Sequence, residues 1–176
     1  MTLSNTINFR DFIRDIPDYP KPGITFKDIT PLLADGDAFG ACVSELACHM
    51  PSDASLIVGV ESRGFLFGAA LAQLTGLGFV PVRKPGKLPA DVHAIDYELE
   101  YGMDRLEIHR DALGHGQKVV IVDDLLATGG TAKATLDLVV NQLGADVVAC
   151  LFVIELAFLG GRKQLADTPV HHLLSY

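Results

Sequence analysis

The stretch Lys118–Thr131 constrains this chain more than any other. Lys118-Val119-Val120-Ile121-Val122 is a short, β-branched, apolar run. It reads as a strand covered on both faces, as in a parallel sheet. From Thr131 onward, Leu136, Val139, Val140 and Leu143 recur at i, i+3, i+4 and i+7, and Gly144 stands where a helix stop is expected. Residues 123–131 are therefore predicted to be a strand-to-helix loop at the carboxyl end of a strand, where open α/β sheets bind ligands.

The chemistry of that loop narrows the ligand. Asp123 and Asp124 are adjacent acids at the end of a buried strand. Crowding like charges there costs free energy unless something pairs with them. Sugar hydroxyls, or a Mg²⁺ ion with its waters, would supply that pairing. Ala127-Thr128-Gly129-Gly130-Thr131 follows. Two glycines let the backbone approach an anion closely, and the threonines add hydroxyl donors. A helix N-terminus contributes unpaired N–H groups and a positive dipole end. The loop has no lysine, so it is not a Walker A loop, and the chain has no G-x-G-x-x-G dinucleotide pattern. A glycine pair alone is usually a plain turn; the acids and hydroxyls together make a phosphosugar site the better reading.

The rest of the chain repeats the strand–helix alternation. A short helix is predicted within 4–16, and Asp18–Gly23, rich in proline, is a rigid turn. A helix starts at Asp37, with Phe39, Cys42, Val43 and Leu46 on one face. Ser55–Val60 reads as the first core strand, Gly64–Leu74 as a helix, Gly78–Arg83 as a strand and Asp146–Leu156 as another. Pro85–Tyr101 is polar and weakly periodic, a length of loop that usually serves as a lid. The alternation implies an α/β fold, a parallel-sheet core with flanking helices. At 176 residues the chain reads as one domain, with an N-terminal hood over about 1–35 and a lid over about 84–102.

Three further features carry charge. Arg63 sits at a predicted helix start, a poor place for a cation unless an anion is nearby. Its alternative is an exposed arginine without a role. Arg83, Lys84 and Lys87 put three cations in five residues at the start of the lid. By themselves they also suit a solvated basic patch. Glu100-Tyr101 lies at the lid's far end, where a glutamate is ordinarily just solvated.

Composition excludes several classes. With 49% apolar and 20% charged residues the chain is globular. A net charge of -8 argues against nucleic-acid or anionic-membrane partners, so a polyanionic substrate must be drawn in by local cations. No leader-like segment or membrane-spanning run is present, and a cytoplasmic location is the simplest expectation. Cys42, Cys48 and Cys150 are read as buried free thiols in a reducing compartment. His171 and His172 are adjacent, so on a strand they face opposite ways and make a poor metal pair.

The segment Val119–Thr131 resembles the phosphoribosyl pyrophosphate (PRPP) motif of type I phosphoribosyltransferases, in the form Leu-Leu-Ala-Thr-Gly-Gly-Thr found in the branch that uses adenine. Asp18–Gly23, Ser62–Gly68, Arg83–Pro89 and Leu99–Gly102 match in the same order, so the resemblance is nearly full-length. It implies that fold, with lid and hood, and transfer of phosphoribose from PRPP to adenine, giving AMP and pyrophosphate. It implies Mg²⁺ held through PRPP and water without direct protein ligands, and a homodimer. By the resemblance, Asp123 and Asp124 hold the ribose and Ala127, Thr128, Gly129, Gly130 and Thr131 the 5′-phosphate. Arg63, Arg83, Lys84, Lys87 and Tyr101 serve the pyrophosphate, and Glu100 manages the proton at the base. Thr25, Phe26 and Lys27 of the hood, with Leu125, would sandwich adenine. Thr25 stands where the family often has an aliphatic residue, and Lys27 where it has arginine. The resemblance also implies a cis peptide at Glu61–Ser62. Two alternatives stay open: a sister enzyme using another purine, and a PRPP-binding regulator without catalysis.

Overall fold

The computed structural model describes residues 7–99, 102–165 and 167–176. The chain divides into two compact units, 1–45 and 46–176.

In the first unit, the helix expected within 4–16 is a single 3₁₀ turn, Phe9–Phe12, followed by strand β1 (Arg14–Ile16). Asn8 caps that turn by accepting from the Arg10 amide. Helix growth stops there because the next residues pair with β2 (Phe26–Asp28), Asp15 opposite Lys27 and Ile16 opposite Phe26. Between the strands, Asp18 has φ 58° and its carboxylate accepts from the Gly23 amide at 2.8 Å; Tyr19–Pro20 is cis. The Asp28 carboxylate then receives both the amide and the hydroxyl of Thr30 at 2.9 Å, starting helix α1 (Thr30–Ala34). Helix α2 (Gly36–Cys48) follows, with the division between the units in its third turn.

The second unit is a five-stranded, all-parallel sheet in the order β4-β3-β7-β8-β9. Its strands are β3 (Leu56–Val60), β4 (Gly78–Val82), β7 (Lys118–Leu126), β8 (Asp146–Glu155) and β9 (Val170–Ser175). As the apolar run predicts, Val119, Val120, Ile121 and Val122 are fully buried. Each such side chain contributes about 1.5–3 kcal/mol of burial. Helix α3 (Gly64–Thr75) joins β3 to β4, and Gly76, at φ 72°, ends it. Phe79 fixes how closely α3 lies on the sheet. A Cβ at Gly59 of β3 would fall 2.3 Å from the Phe79 ring, and one at Gly68 of α3 2.8 Å from it, so the ring fits only between two residues without side chains.

Three predicted boundaries change. Strand β7 runs on through Asp123 and Asp124 to Leu126, because β8 continues beside it and pairs Leu125 with Ile154 and Leu126 with Glu155. The two acids therefore belong to the strand end and not to the loop. Within the predicted lid segment, Val92–Leu99 form strand β5, paired antiparallel with β6 (Gly102–His109). Helix α4 (Gly130–Asp137) passes into a π-helical turn, Leu138–Gln142. The wider turn rotates the face, so Leu138 and Val139 are buried and Val140, expected inside, is exposed. Cys42 and Cys150 are buried free thiols, as expected, but Cys48, in the last turn of α2, is exposed. Among the described residues, no helix is long and apolar enough to cross a membrane.

Candidate active site

The carboxyl ends of β3, β4 and β7 open onto a cleft of about 360 Å³. Glu61, Ser62 and Arg63 line it from the β3–α3 turn and Lys84 from the end of β4. Asp123 to Ala132 line it from β7 and the start of α4.

The floor is the acidic pair. Asp124 is 4% exposed. Arg63 Nε lies 2.9 Å from its Oδ2, so the anion that justifies a cation at this helix start is the protein's own carboxylate. The contact is ionic, without hydrogen-bond alignment, and that buried Oδ2 has no hydrogen-bond donor among the described residues. Asp123 turns one oxygen back to accept from the Asp124 amide at 2.8 Å. Burial, then the charge of Asp124, push its carboxyl well above the ordinary range. Burial also raises Asp124, with Arg63 opposing. Gly64 allows this crowding: a Cβ there would lie 2.7 Å from Asp123 Oδ1 and 2.8 Å from the Val122 carbonyl.

The loop beyond has the shape of an anion cradle. Gly129 adopts φ 89° and caps α4, placing Gly130 and Thr131 in its first turn. The loop is enclosed from behind. A Cβ at Gly130 would meet the Glu98 carbonyl at 3.0 Å, and one at Gly129 would meet the Gly161 carbonyl at 2.4 Å. The Tyr97 hydroxyl, 3.3 Å from Thr131 Oγ1, also donates to Asp104 at 3.2 Å. Asp104 in turn holds the Lys84 ammonium. Burial works to lower the Lys84 pKa, but Asp104 and Tyr97 outweigh it and raise it.

The predicted cations thus have different settings. Arg63 and Lys84 face the cleft. Arg83 forks onto Glu61, with Nε–Oε2 and Nη2–Oε1 both 3.2 Å, and its Nη1 donates to the Lys87 carbonyl. Lys87 is exposed. Glu61 also accepts the Lys84 amide at 2.8 Å. Burial alone would raise its carboxyl, but the Lys84 amide and Arg83 hold it below the ordinary value. The Glu61–Ser62 peptide is cis. Leu125 is half-buried on the cleft wall. In the first unit Thr25 is exposed, Phe26 packs edge-on against Tyr19 at 5.3 Å, and Lys27 Nζ is 2.7 Å from Asp15. Glu100 and Tyr101 lie outside the described residues. Among the described residues no cluster of three or more His, Cys, Asp or Glu side chains converges as a metal-binding group.

Sequence reasoning missed Tyr97, Asp104 and Gly161, and gave the Glu61 side chain no role. Glu61 adjoins the Ser62-Arg63-Gly64 turn and was within reach of local reading. The other three act across strand or loop pairings that no local pattern encodes.

Comparison with known proteins agrees with this geometry. Residues 43–168 match the phosphoribosyl transferase domain family. An adenine phosphoribosyltransferase of Prochlorococcus marinus (strain MIT 9303) is 59% identical over 174 residues, 97% of this chain and 99% of that protein. The crystal structure of adenine phosphoribosyltransferase from Thermoanaerobacter pseudethanolicus superposes with a TM-score of 0.92 at 54% identity, over 96% of this chain and 98% of that one. The Saccharomyces cerevisiae enzyme, complexed with an imino-altritol bisphosphate and adenine, gives 0.89 at 42% identity, over 94% and 96%.

Proposed function

Because the chain belongs to the adenine phosphoribosyltransferases of the phosphoribosyltransferase family, we propose that its cleft transfers the phosphoribosyl group of PRPP to adenine, giving AMP and pyrophosphate. The observation that carries this reading is the crowded acidic pair Asp123 and Asp124 at the end of β7, lining the cleft just before a glycine cradle at a helix start. Two crowded carboxylates are costly unless something pairs with them, and ribose hydroxyls entering the cleft would do so.

The residues divide the work. Asp123 and Asp124 hold the ribose hydroxyls, and residues 127–131 hold the 5′-phosphate. Arg63 and Lys84, the cations lining the cleft, neutralise the leaving pyrophosphate. Arg83 supports them by locking Glu61, and Lys87 and Tyr101 complete the leaving-group side. Thr25, Phe26, Lys27 and Leu125 contact the base, and Glu100 accepts or returns the proton at the purine. Adenine N9 attacks C1′ as pyrophosphate departs, with inversion. The transition state has oxocarbenium character, as in glycoside hydrolysis, so positioning and electrostatics do most of the work. The paired acids suit a hydrated Mg²⁺ bound together with PRPP. That ion would add charge neutralisation at the diphosphate.

A homodimer follows from the family likeness. A cytoplasmic setting suits Cys42 and Cys150, whose thiols burial pushes up to about 12. The test is turnover with PRPP, Mg²⁺ and each purine base in turn. AMP from adenine is the expected product. Activity with a 6-oxopurine and none with adenine would move the assignment to a sister enzyme, and no pyrophosphate with any base would favour a PRPP-binding regulator.

A further inference from the structure

The phosphate loop rests on a second glycine turn. Residues Gly161–Leu165 form a 3₁₀ turn after β8. A Cβ at Gly161 would fall 2.1 Å from the Ala127 carbonyl and 2.8 Å from the Gly129 amide. In the reciprocal contact, a Cβ at Gly129 would fall 2.4 Å from the Gly161 carbonyl. The two backbones are therefore in contact with no side chain between them, and neither can move toward the other. Where Gly161 sits decides where residues 127–129 sit.

Arg162 holds Gly161 in place. Its guanidinium forks onto Glu155, with Nη2–Oε2 2.6 Å and Nε–Oε1 3.2 Å, and Nη1 donates to the Val170 carbonyl at 2.8 Å. Glu155 is 5% exposed and ends β8, in register with Leu126, the last residue of β7 before the loop. The Leu156 amide donates to the Leu126 carbonyl at 2.9 Å. His172 Nδ1 lies 2.7 Å from Glu155 Oε2, the oxygen that accepts from Arg162 Nη2. The fork thus ties the supporting turn to the strand end from which the loop departs. Arg162 and Glu155 do not line the cleft.

We propose that Arg162 is a positioning residue for the phosphate loop, with Glu155 as its anchor, and that the pair sets affinity for the 5′-phosphate end of PRPP without touching it. The proposal rests on the reading that residues 127–131 bind that phosphate.

The test is steady-state kinetics of the full-length protein carrying Arg162→Ala, Arg162→Lys, Glu155→Gln or, as a reference inside the loop, Thr131→Ala. Arg162→Ala should raise the KM for PRPP on the order of tenfold, since a small misplacement of a binding loop is enough. The KM for adenine should stay within about twofold, because no rearrangement of the base side is involved. Arg162→Lys keeps the charge but loses the fork and should recover only part of the loss. Glu155→Gln preserves shape and should raise the PRPP KM in the same direction; it carries the test if Arg162→Ala does not fold. The proposal is overturned if folded Arg162→Ala or Glu155→Gln leaves the PRPP KM unchanged while Thr131→Ala raises it. It is also overturned if kcat and both KM values shift together with thermal stability, the pattern of a general structural role. If Thr131→Ala itself leaves PRPP binding intact, the phosphate reading of the loop has failed and the positioning role falls with it.

Discussion

Replacing Gly64 by alanine perturbs the cleft by one methyl group at a known place. Gly64 opens α3 with an ordinary backbone, so the substitution has no conformational penalty of its own. The cost is contact. The added Cβ would stand 2.7 Å from Asp123 Oδ1, 2.8 Å from the Val122 carbonyl and 3.0 Å from the Asp123 Cα. Ordinary contact begins near 3.4 Å, so something must retreat by roughly half an ångström or more. Strand β7 cannot, because Val122 is held between Gly59 of β3 and Leu151 of β8. The first turn of α3 must move, and Arg63 moves with it, away from the Asp124 carboxylate 2.9 Å distant. Overpacking of this kind costs about 1–3 kcal/mol. For a chain of this size, that lowers Tm by about 2–4 °C per kcal/mol. Displacement of Arg63 should also reduce kcat/KM for PRPP, by up to about a hundredfold for a shift near 1 Å. Differential scanning calorimetry and initial rates measure both. Gly40→Ala is the control. Gly40 lies inside α2 with open space around its Cβ direction. That change should stabilise the protein by about 0.5–1 kcal/mol. Equal Tm and kinetics for Gly64→Ala and the parent would refute the steric argument.

Other perturbations have signed outcomes. Asp123→Asn should stabilise the ligand-free protein while lowering kcat/KM by roughly 30-fold, about 2 kcal/mol for a lost charge-assisted hydrogen bond. Because the folded-state pKa of Asp123 is raised above 3.8, its ionisation opposes folding. The Tm margin of the variant should therefore widen as pH rises from about 4 through that raised pKa; a margin independent of pH would count against the crowding of the two acids. Glu61→Gln should destabilise by about 2 kcal/mol at neutral pH, since it unpairs Arg83. The Glu61 pKa is depressed below 4.5, so that deficit should be full above this pH and shrink as pH falls; urea titrations at several pH values measure it. Glu100→Ala should lower turnover more than PRPP affinity, and unchanged turnover would remove its proton role.

The strand–loop–helix order at 118–143 was legible because each signal is local, although the strand runs on to Leu126 and the π-helical turn carries Val140 out of the expected face. A buried parallel strand needs an apolar run, an anion cradle needs glycines, and a helix face needs its spacing. The cis peptide at Glu61–Ser62 agreed with the family likeness. The hairpin was not legible. In β5, Ile95 and Tyr97 alternate with the exposed Asp96 and Glu98, too short a pattern to stand out. Only pairing with β6, Asp96 opposite Arg105 and Tyr97 opposite Asp104, makes it a strand. For the same reason Lys84 read only as one of the Arg83–Lys84–Lys87 cluster, and its partner Asp104, 20 residues on, stayed hidden. Gly161 carries no local signal, because what gives it its meaning is a backbone more than 30 residues earlier in the chain.

Phe79, seated between Gly59 and Gly68, has a consequence for how this chain can change. No one of the three positions is free to vary alone: a side chain at either glycine collides with the ring, and a smaller residue at 79 leaves a void. A smaller residue at 79 together with alanine at 59 or 68 could exchange volume and keep α3 seated. Mutational tolerance here is a property of the trio. A substitution scan taken one residue at a time would score all three as intolerant, and would miss the paired route by which α3 and the sheet can drift together without losing the cleft they support.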